Sequence, residues 1–399
     1  MLSALKESPK ITVVSGDISL PSLGLSETDQ EHVRATSTIF IHAASSLSLG
    51  ARLASIAPNI IEASLELAKL ALSCPGLERF VYISTAYANS HLHQQHEGIE
   101  TRVEEKIYPL LPSDDDLLNA SPEDEYINIK LQGTSKQFQL SDFPWAYGYA
   151  KHLTERLLLK KFQEDQISGS ETETELSSVP SKILIIRPSI IGPSQIWPYA
   201  NFEVPGSVPS STLAAALITE PSRKINFASR MDDPWTDATT DEISVDMVVN
   251  HILMHLIYDS HGIVHAAAPK DQLVSMADIM RGVTRIRRLP WMPKIVWKNV
   301  HWRSRELCTI ARIFVILGTS YDFCQDSNER LLERMSTDEL ENFPLHPSRH
   351  PVVDGFYDLT HRREAILACV ETILKRKGRP AWISRFLWKN STGRSVKKC

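Results

Sequence analysis

Short apolar, β-branched runs alternate with stretches of helical periodicity through the first 260 or so residues of the chain. Residues 10–17 (KITVVSGD), 37–44 (STIFIHAA), 79–86 (RFVYISTA) and 182–189 (KILIIRPS) each read as a strand that ends in small or turn-forming residues. Between the second and third runs, residues 59–74 (NIIEASLELAKLALSC) place Ile60, Ala63, Leu67, Leu70 and Ala71 at helical spacing. Strand–helix–strand alternation predicts a doubly wound, Rossmann-type α/β fold, a parallel sheet covered by helices with binding groups at the carboxyl ends of the strands. Residues 165–180 are acidic, rich in Ser and Thr and poor in large apolar groups, so they read as a flexible surface insertion. Residues 110–140 read as loop, and beyond about residue 260 the pattern becomes mainly helical with proline punctuation. This suggests a Rossmann-like α/β domain over 1–270 and a helical region over 271–399.

Composition narrows the partners. Forty-three basic and 48 acidic side chains leave a net charge of −5, which gives no global reason to expect nucleic acid. The five cysteines, Cys74, Cys308, Cys324, Cys369 and Cys399, are scattered without CxxC spacing and read as reduced thiols. Neither a secretory leader nor an apolar run of about 18 residues is visible. Ile310–Gly318 is only half that length and carries Arg312. The expectation is an intracellular protein, cytoplasmic or peripheral to a lipid-metabolising membrane such as the endoplasmic reticulum or peroxisome. Charge is concentrated locally: between Arg281 and Arg312 nine Arg or Lys residues face one acid, Glu306, with Trp291, Trp297 and Trp302 interleaved. A solvated basic face is the plainest reading. The others are peripheral membrane contact over 281–318 and a surface for the phosphates of a large acyl carrier.

The chemistry concentrates in two places. Tyr147 stands four residues before Lys151 in WAYGYAKHLTERLLL (145–159), one helical turn away, and Ser84 and Thr85 follow the strand FVYI. A phenol with a pKa near 10 is sluggish at neutral pH; Lys151 would lower that value and hold the ribose of a nicotinamide cofactor, while Thr85 fixes a carbonyl oxygen against the Tyr147 hydroxyl. Tyr149 is a decoy, because its own i+4 residue is Leu153. His91, His93 and His96 in HLHQQHEG read as part of a solvated polar loop, with no metal expected.

GDISLPSLGLS (16–26), IFIHAAS (39–45), FVYISTAYAN (80–89), YGYAK (147–151), IIRPSIIGPS (185–194) and SVDMVVNHIL (244–253) together resemble the fatty acyl-CoA reductases, extended short-chain dehydrogenase/reductases; residues 321–345 resemble their C-terminal male-sterility region. The resemblance implies catalytic Ser84, Thr85, Tyr147 and Lys151. It places Gly16 and Asp17 at the adenine, His42, Ala43 and Ala44 as a ledge of small residues under the cofactor, and Asn59 as a structural asparagine beginning the next helix. Pro188, Ser189 and Ile190 would offer backbone groups to the nicotinamide carboxamide. The implied activity is NADPH-dependent reduction of a long-chain fatty acyl-CoA to the aldehyde and on to the primary alcohol.

The chain departs from that pattern in one respect. Its 16 glycines form no G-x-G-x-x-G or related fingerprint, and KITVVSGDIS resembles the family's third strand. The first strand, phosphate turn, first helix and second strand are therefore expected to lie outside this sequence, as in a piece of a longer reductase. Losing the surfaces they cover would weaken the sheet. The other readings are a cofactor-free acyl-binding relative, a fold completed by a second chain, or an extended dehydrogenase acting on a sterol or nucleotide sugar.

Overall fold

Four parallel strands form the central sheet of the computed structural model: β1 (Ile39–His42), β2 (Arg79–Ile83), β3 (Ile183–Pro188) and β4 (Gly262–Ala266), side by side in that order. The structure describes residues 8–95, 100–110, 121–168, 180–289, 292–346, 352–353 and 356–389. Every residue of β3 is buried. This is why ILII reads as a continuous apolar run: a central parallel strand covered on both faces has no polar side to show. On one face, α1 (Ala63–Leu72) and α2 (Ala146–Ser168) pack Ala68, Ala71, Leu158 and Phe162 against Phe80, Tyr82, Ile183 and Ile185. On the other, α3 (Val245–Ile257) packs Met247, Val248 and Ile252 against Val81, Leu184, Ile186 and Val264. The strand and helix expectations for 37–44, 59–74, 79–86 and 182–189 are met. The fold is the expected Rossmann-type α/β arrangement.

The two sides of residue 270 interlock. Lys294–Lys298 pairs in parallel with Lys224–Ala228, Tyr321–Phe323 with Thr101–Val103, and Val274–Ser275 runs antiparallel to Thr239–Thr240. One apolar cluster gathers Tyr87, Trp145, Leu217, Phe227, Trp302, Phe323 and Val370.

Several local expectations are corrected. Residues 10–17 form no strand; Ile11 and Val13 are 43% and 83% exposed, and no strand among the described residues supplies a ladder for them. β1 is accordingly an edge, with Ile39 and Ile41 exposed. Residues 110–140 are not all loop: Pro122–Gln132 is a helix, capped by Ser121 and carrying Glu123, Asp124 and Glu125 in its first turn, where acids favour the helix dipole. Residues 111–120 of that segment lie outside the described residues, as do 169–179 of the expected insertion, whereas 165–168 complete α2. Beyond residue 260, β4 and Lys294–Lys298 are strands, the latter inside the basic stretch. His91 and His93 are not solvated but buried, in a 3-10 turn over Ala86–Gln95, where His91 stacks 4.6 Å from the Phe143 ring. Burial lowers the His91 pKa to about 4, which keeps the ring neutral. His96 lies outside the described residues. Cys74, Cys308, Cys324 and Cys369 are free thiols, and Cys399 also lies outside the described residues.

Candidate active site

The carboxyl end of β2 meets the first turns of α2. Ser84 continues the β2 ladder through its N–H to the Ile186 carbonyl (2.8 Å), and the chain then turns into the Ala86–Gln95 helix. Thr85 caps that turn: its carbonyl accepts the Ala88 N–H (3.0 Å) and its Oγ1 accepts the Tyr87 N–H (3.3 Å). The Thr85 hydroxyl thereby keeps its own proton to offer to an oxygen. Ser84 Oγ is buried without a hydrogen-bond partner among the described residues, a group of the kind that a bound oxygen would satisfy.

Lys151 reaches this strand end from α2. Its Nζ donates to the Ile83 carbonyl at 2.8 Å and lies 4.7 Å from the centre of the Tyr82 ring, with 2% of the residue exposed. Burial lowers its pKa to about 7, with the Glu155 carboxylate pulling in the opposite direction. Tyr147, one turn earlier, is partly buried, and its hydroxyl makes no hydrogen bond among the described residues. Burial raises its pKa above the ordinary phenol value. That corrects the expectation of a lowered phenol: desolvation of the ring outweighs the charge of a lysine that is itself turned to Ile83. Gly148 permits the close approach of the two elements, since a Cβ there would meet the Tyr87 carbonyl oxygen at 3.1 Å and Ser90 Oγ at 3.2 Å. Tyr149 points elsewhere, with its hydroxyl 2.5 Å from Ser135 Oγ and donating to Glu125 Oε2 at 2.8 Å.

The expected cofactor-binding residues divide. Ala43 and Ala44 follow β1 and are exposed. His42 is no ledge residue: it is 3% exposed, shares a 2.9 Å hydrogen bond with Ser64 Oγ and joins β1 to α1. Burial first, and the Lys151 charge second, lower its pKa to about 4. Asn59 does not begin a helix; it sits in a π-helical turn, Pro58–Glu62, inside a helical run that opens at Leu53. Pro188 closes β3, but the N–H groups of Ser189 and Ile190 are already given to the Ala266 and Asp241 carbonyls (2.9 and 3.1 Å). These two donors therefore cannot serve the carboxamide. Gly16 and Asp17 lie outside the sheet in an exposed turn, where Asp17 accepts the Ser19 N–H and hydroxyl at 2.8 and 2.6 Å; the hydroxyl bond first, then the N–H, holds its carboxyl below the usual range.

Two features have no counterpart in the sequence reading. Glu155 and Arg187 form a bidentate ion pair with both side chains fully buried, at 2.6 and 2.9 Å, one turn along α2 from Lys151. Asp241 is buried beside the end of β3, accepts the Ala268 N–H at 2.9 Å, and is pushed up to about 7 by burial. Arg187 inside the apolar run ILIIRPSII is a sequence signal for the first, whereas Asp241, between Thr240 and Glu242, carries none. Among the described residues, no three or more His, Cys, Asp or Glu side chains are grouped to hold a metal, and no helix is long and apolar enough to cross a membrane.

A family model described as male sterility protein matches residues 2–252. The chain belongs to the fatty acyl-CoA reductase family. It is 28% identical over 265 residues to fatty acyl-CoA reductase 1 of Xenopus laevis, covering 66% of this chain and 44% of that protein. It is 25% identical over 241 residues to fatty acyl-CoA reductase 1 of Homo sapiens, covering 60% and 40%. The chain thus spans less than half the length of these relatives. Among solved structures, the terminal R domain of the myxalamid PKS-NRPS pathway superimposes with a TM-score of 0.49 at 16% identity, over 94% of this chain and 77% of that one.

Proposed function

We propose that the protein reduces a long-chain fatty acyl-CoA with NADPH, first to the aldehyde and then to the primary alcohol. The observation that carries this reading is the seat of Lys151: its ammonium is bonded to the last residue of β2, directly before Ser84 and Thr85, with Tyr147 one turn back on the same helix. The residues fit the nicotinamide–ribose end of the cofactor, since Lys151 is a buried donor and Ser84 Oγ is an unpartnered one. The pyrophosphate end lacks a counterpart, as the sequence holds no glycine fingerprint. When bound, the cofactor supplies hydride. Ser84 and Thr85 then donate to the acyl oxygen and hold the negative charge that develops on it. Tyr147, kept protonated by its burial, gives up its Oη proton as that oxygen becomes a hydroxyl.

In the first round that proton returns to Tyr147 as the tetrahedral species collapses to the aldehyde and the thiolate leaves, because a thiol is far more acidic than an alcohol. In the second the aldehyde oxygen meets the same hydroxyls and keeps the Tyr147 proton. The stoichiometry tests the reading. With acyl-CoA and the catalytically active protein, two NADPH per thioester and a primary alcohol are expected. One NADPH with free aldehyde as sole product would limit the reaction to its first half, and no thioester-dependent oxidation of NADPH would overturn it. NADH in place of NADPH is the control for cofactor choice.

A further inference from the structure

Two of the three tryptophans of the basic stretch, Trp297 and Trp302, do not form a membrane surface, and Trp291 lies outside the described residues. Trp302 is 5% exposed and donates to Asp142, and Trp297 packs on Phe227 and Trp235. What the stretch does build is a groove. Helix α4 (Met276–Ile286) opens with a capping box between Ser275 and Asp278 and buries Met276, Ile279, Val283 and Ile286. Its outward face, carrying Met280, Arg281, Thr284 and Arg285, forms the floor of an open depression of about 830 Å³, with Trp235 and Lys389 among its walls. That volume is in the range of small-molecule sites.

Charge and shape there select a ligand. Three cations, Arg281, Arg285 and Lys389, line the depression; two acids stand beside it, Asp278 ion-paired to Arg281 and Asp358 within the field of Arg285, so the cations keep an excess of one positive charge there. Lys389 is fixed in place, its N–H donating to the Ile286 carbonyl and its Nζ to the Thr284 carbonyl (2.8 and 2.9 Å). Trp235 is held by an edge-on contact with Trp297, ring centres 5.8 Å apart, and its own carbonyl accepts the Ala277 N–H at 3.4 Å. Pre-set cations around a fixed indole suit a phosphorylated purine, the cations taking the phosphates and the indole the base. The groove is also tied to the catalytic elements: Val274–Ser275, which leads into α4, pairs with Thr239–Thr240, and the next residue, Asp241, accepts the Ile190 N–H.

We propose that this groove docks the phosphorylated adenosine end of coenzyme A, with its phosphates on Arg281, Arg285 and Lys389 and its purine against Trp235. The assignment rests on the acyl-CoA reading above, yet its test is a binding measurement that needs no turnover. The full chain is titrated calorimetrically with coenzyme A, dephospho-coenzyme A, pantetheine and NADP⁺, at low and high salt. Coenzyme A should bind most tightly of the three thiols and weaken with salt. Arg281→Glu and Arg285→Glu should each weaken coenzyme A on the order of tenfold. Arg305→Glu, in the same basic stretch but outside the groove, should change nothing, and circular dichroism should show all three variants folded. The proposal is overturned by absence of coenzyme A binding, by equal affinity for coenzyme A and pantetheine, or by an equal effect of Arg305→Glu. It is also overturned if the groove substitutions weaken NADP⁺ and leave coenzyme A untouched. Failure to transfer hydride while coenzyme A still binds in the groove would count against the reductase reading alone.

Discussion

The phenol of Tyr149 donates to the Glu125 carboxylate at 2.8 Å, and Glu125 in turn is ion-paired to Arg156 at 2.7 Å. That committed hydroxyl, two residues from Tyr147, separates two tyrosines that sequence spacing alone separates only by Lys151. Tyr149→Phe should therefore cost about 1–3 kcal/mol of stability, since Glu125 and Ser135 both lose a buried partner. It should leave the chemical step nearly intact. Tyr147→Phe should do the reverse, lowering kcat by roughly 10²–10⁴-fold with little change in the denaturation midpoint. Urea melts and steady-state rates on both variants of the active protein decide the matter; equal kcat losses would sink the assignment.

Lys151 makes a pH-dependent prediction. Its pKa is held near 7 in the folded chain, well below that of a free lysine. Above about pH 7 the folded state sheds a proton that the unfolded state keeps, so this residue's contribution makes stability rise with pH until both states are neutral near pH 10.5. The slope is at most about 1.4 kcal/mol per pH unit. Lys151→Met should remove that contribution. Stability measured from pH 6 to 10 should therefore climb more steeply for the wild type than for the variant. Activity runs the other way: if the ammonium is the working form, kcat should fall as pH rises through about 7. A pH-independent stability difference between the two proteins would refute the buried-lysine account.

The sheet was legible because β2 and β3 are runs whose apolar character needs no tertiary context, and the Tyr147–Lys151 spacing survives because a helix fixes it. Residues 10–17 differ for the complementary reason: β-propensity describes a surface that fits a neighbour, and no strand among the described residues lies beside them. His91 and His93 were misread as solvated because sequence polarity does not reveal rings stacked on Phe143 and near Trp302. The phenol shift of Tyr147 was hidden likewise, since desolvation depends on what packs around the ring.

Glu155 and Arg187 join α2 to β3 inside the core, and Arg187 also donates to the Lys106 carbonyl at 3.0 Å. Glu155→Ala or Arg187→Ala leaves the other charge buried and unpaired, which should cost about 3–5 kcal/mol. The double replacement Glu155→Leu with Arg187→Met removes both charges together and should be less destabilised than either single variant. Denaturant titration of the three proteins checks this. Additive losses would show that the two groups do not depend on each other.

Gly318 ends a 3-10 turn, Val315–Gly318, pressed against the end of the strand Lys224–Ala228. A Cβ at this position would be driven into the Ala228 carbonyl oxygen, a backbone atom with no rotamer in which to move aside. The same turn is tied down by the Ser229 hydroxyl, which donates to the Gly318 carbonyl at 2.7 Å, so the turn cannot retreat without losing that bond. Gly318→Ala should accordingly destabilise by about 1–3 kcal/mol, the usual cost of forcing atoms into a packed site. Gly50→Ala is the matched control, because a Cβ there meets nothing within 4 Å, and it should stay within about 0.5 kcal/mol of wild type. A urea midpoint for Gly318→Ala as high as that of Gly50→Ala would mean that the turn and the strand end do not touch as described, and with them the packing of the Tyr321–Phe323 strand that follows.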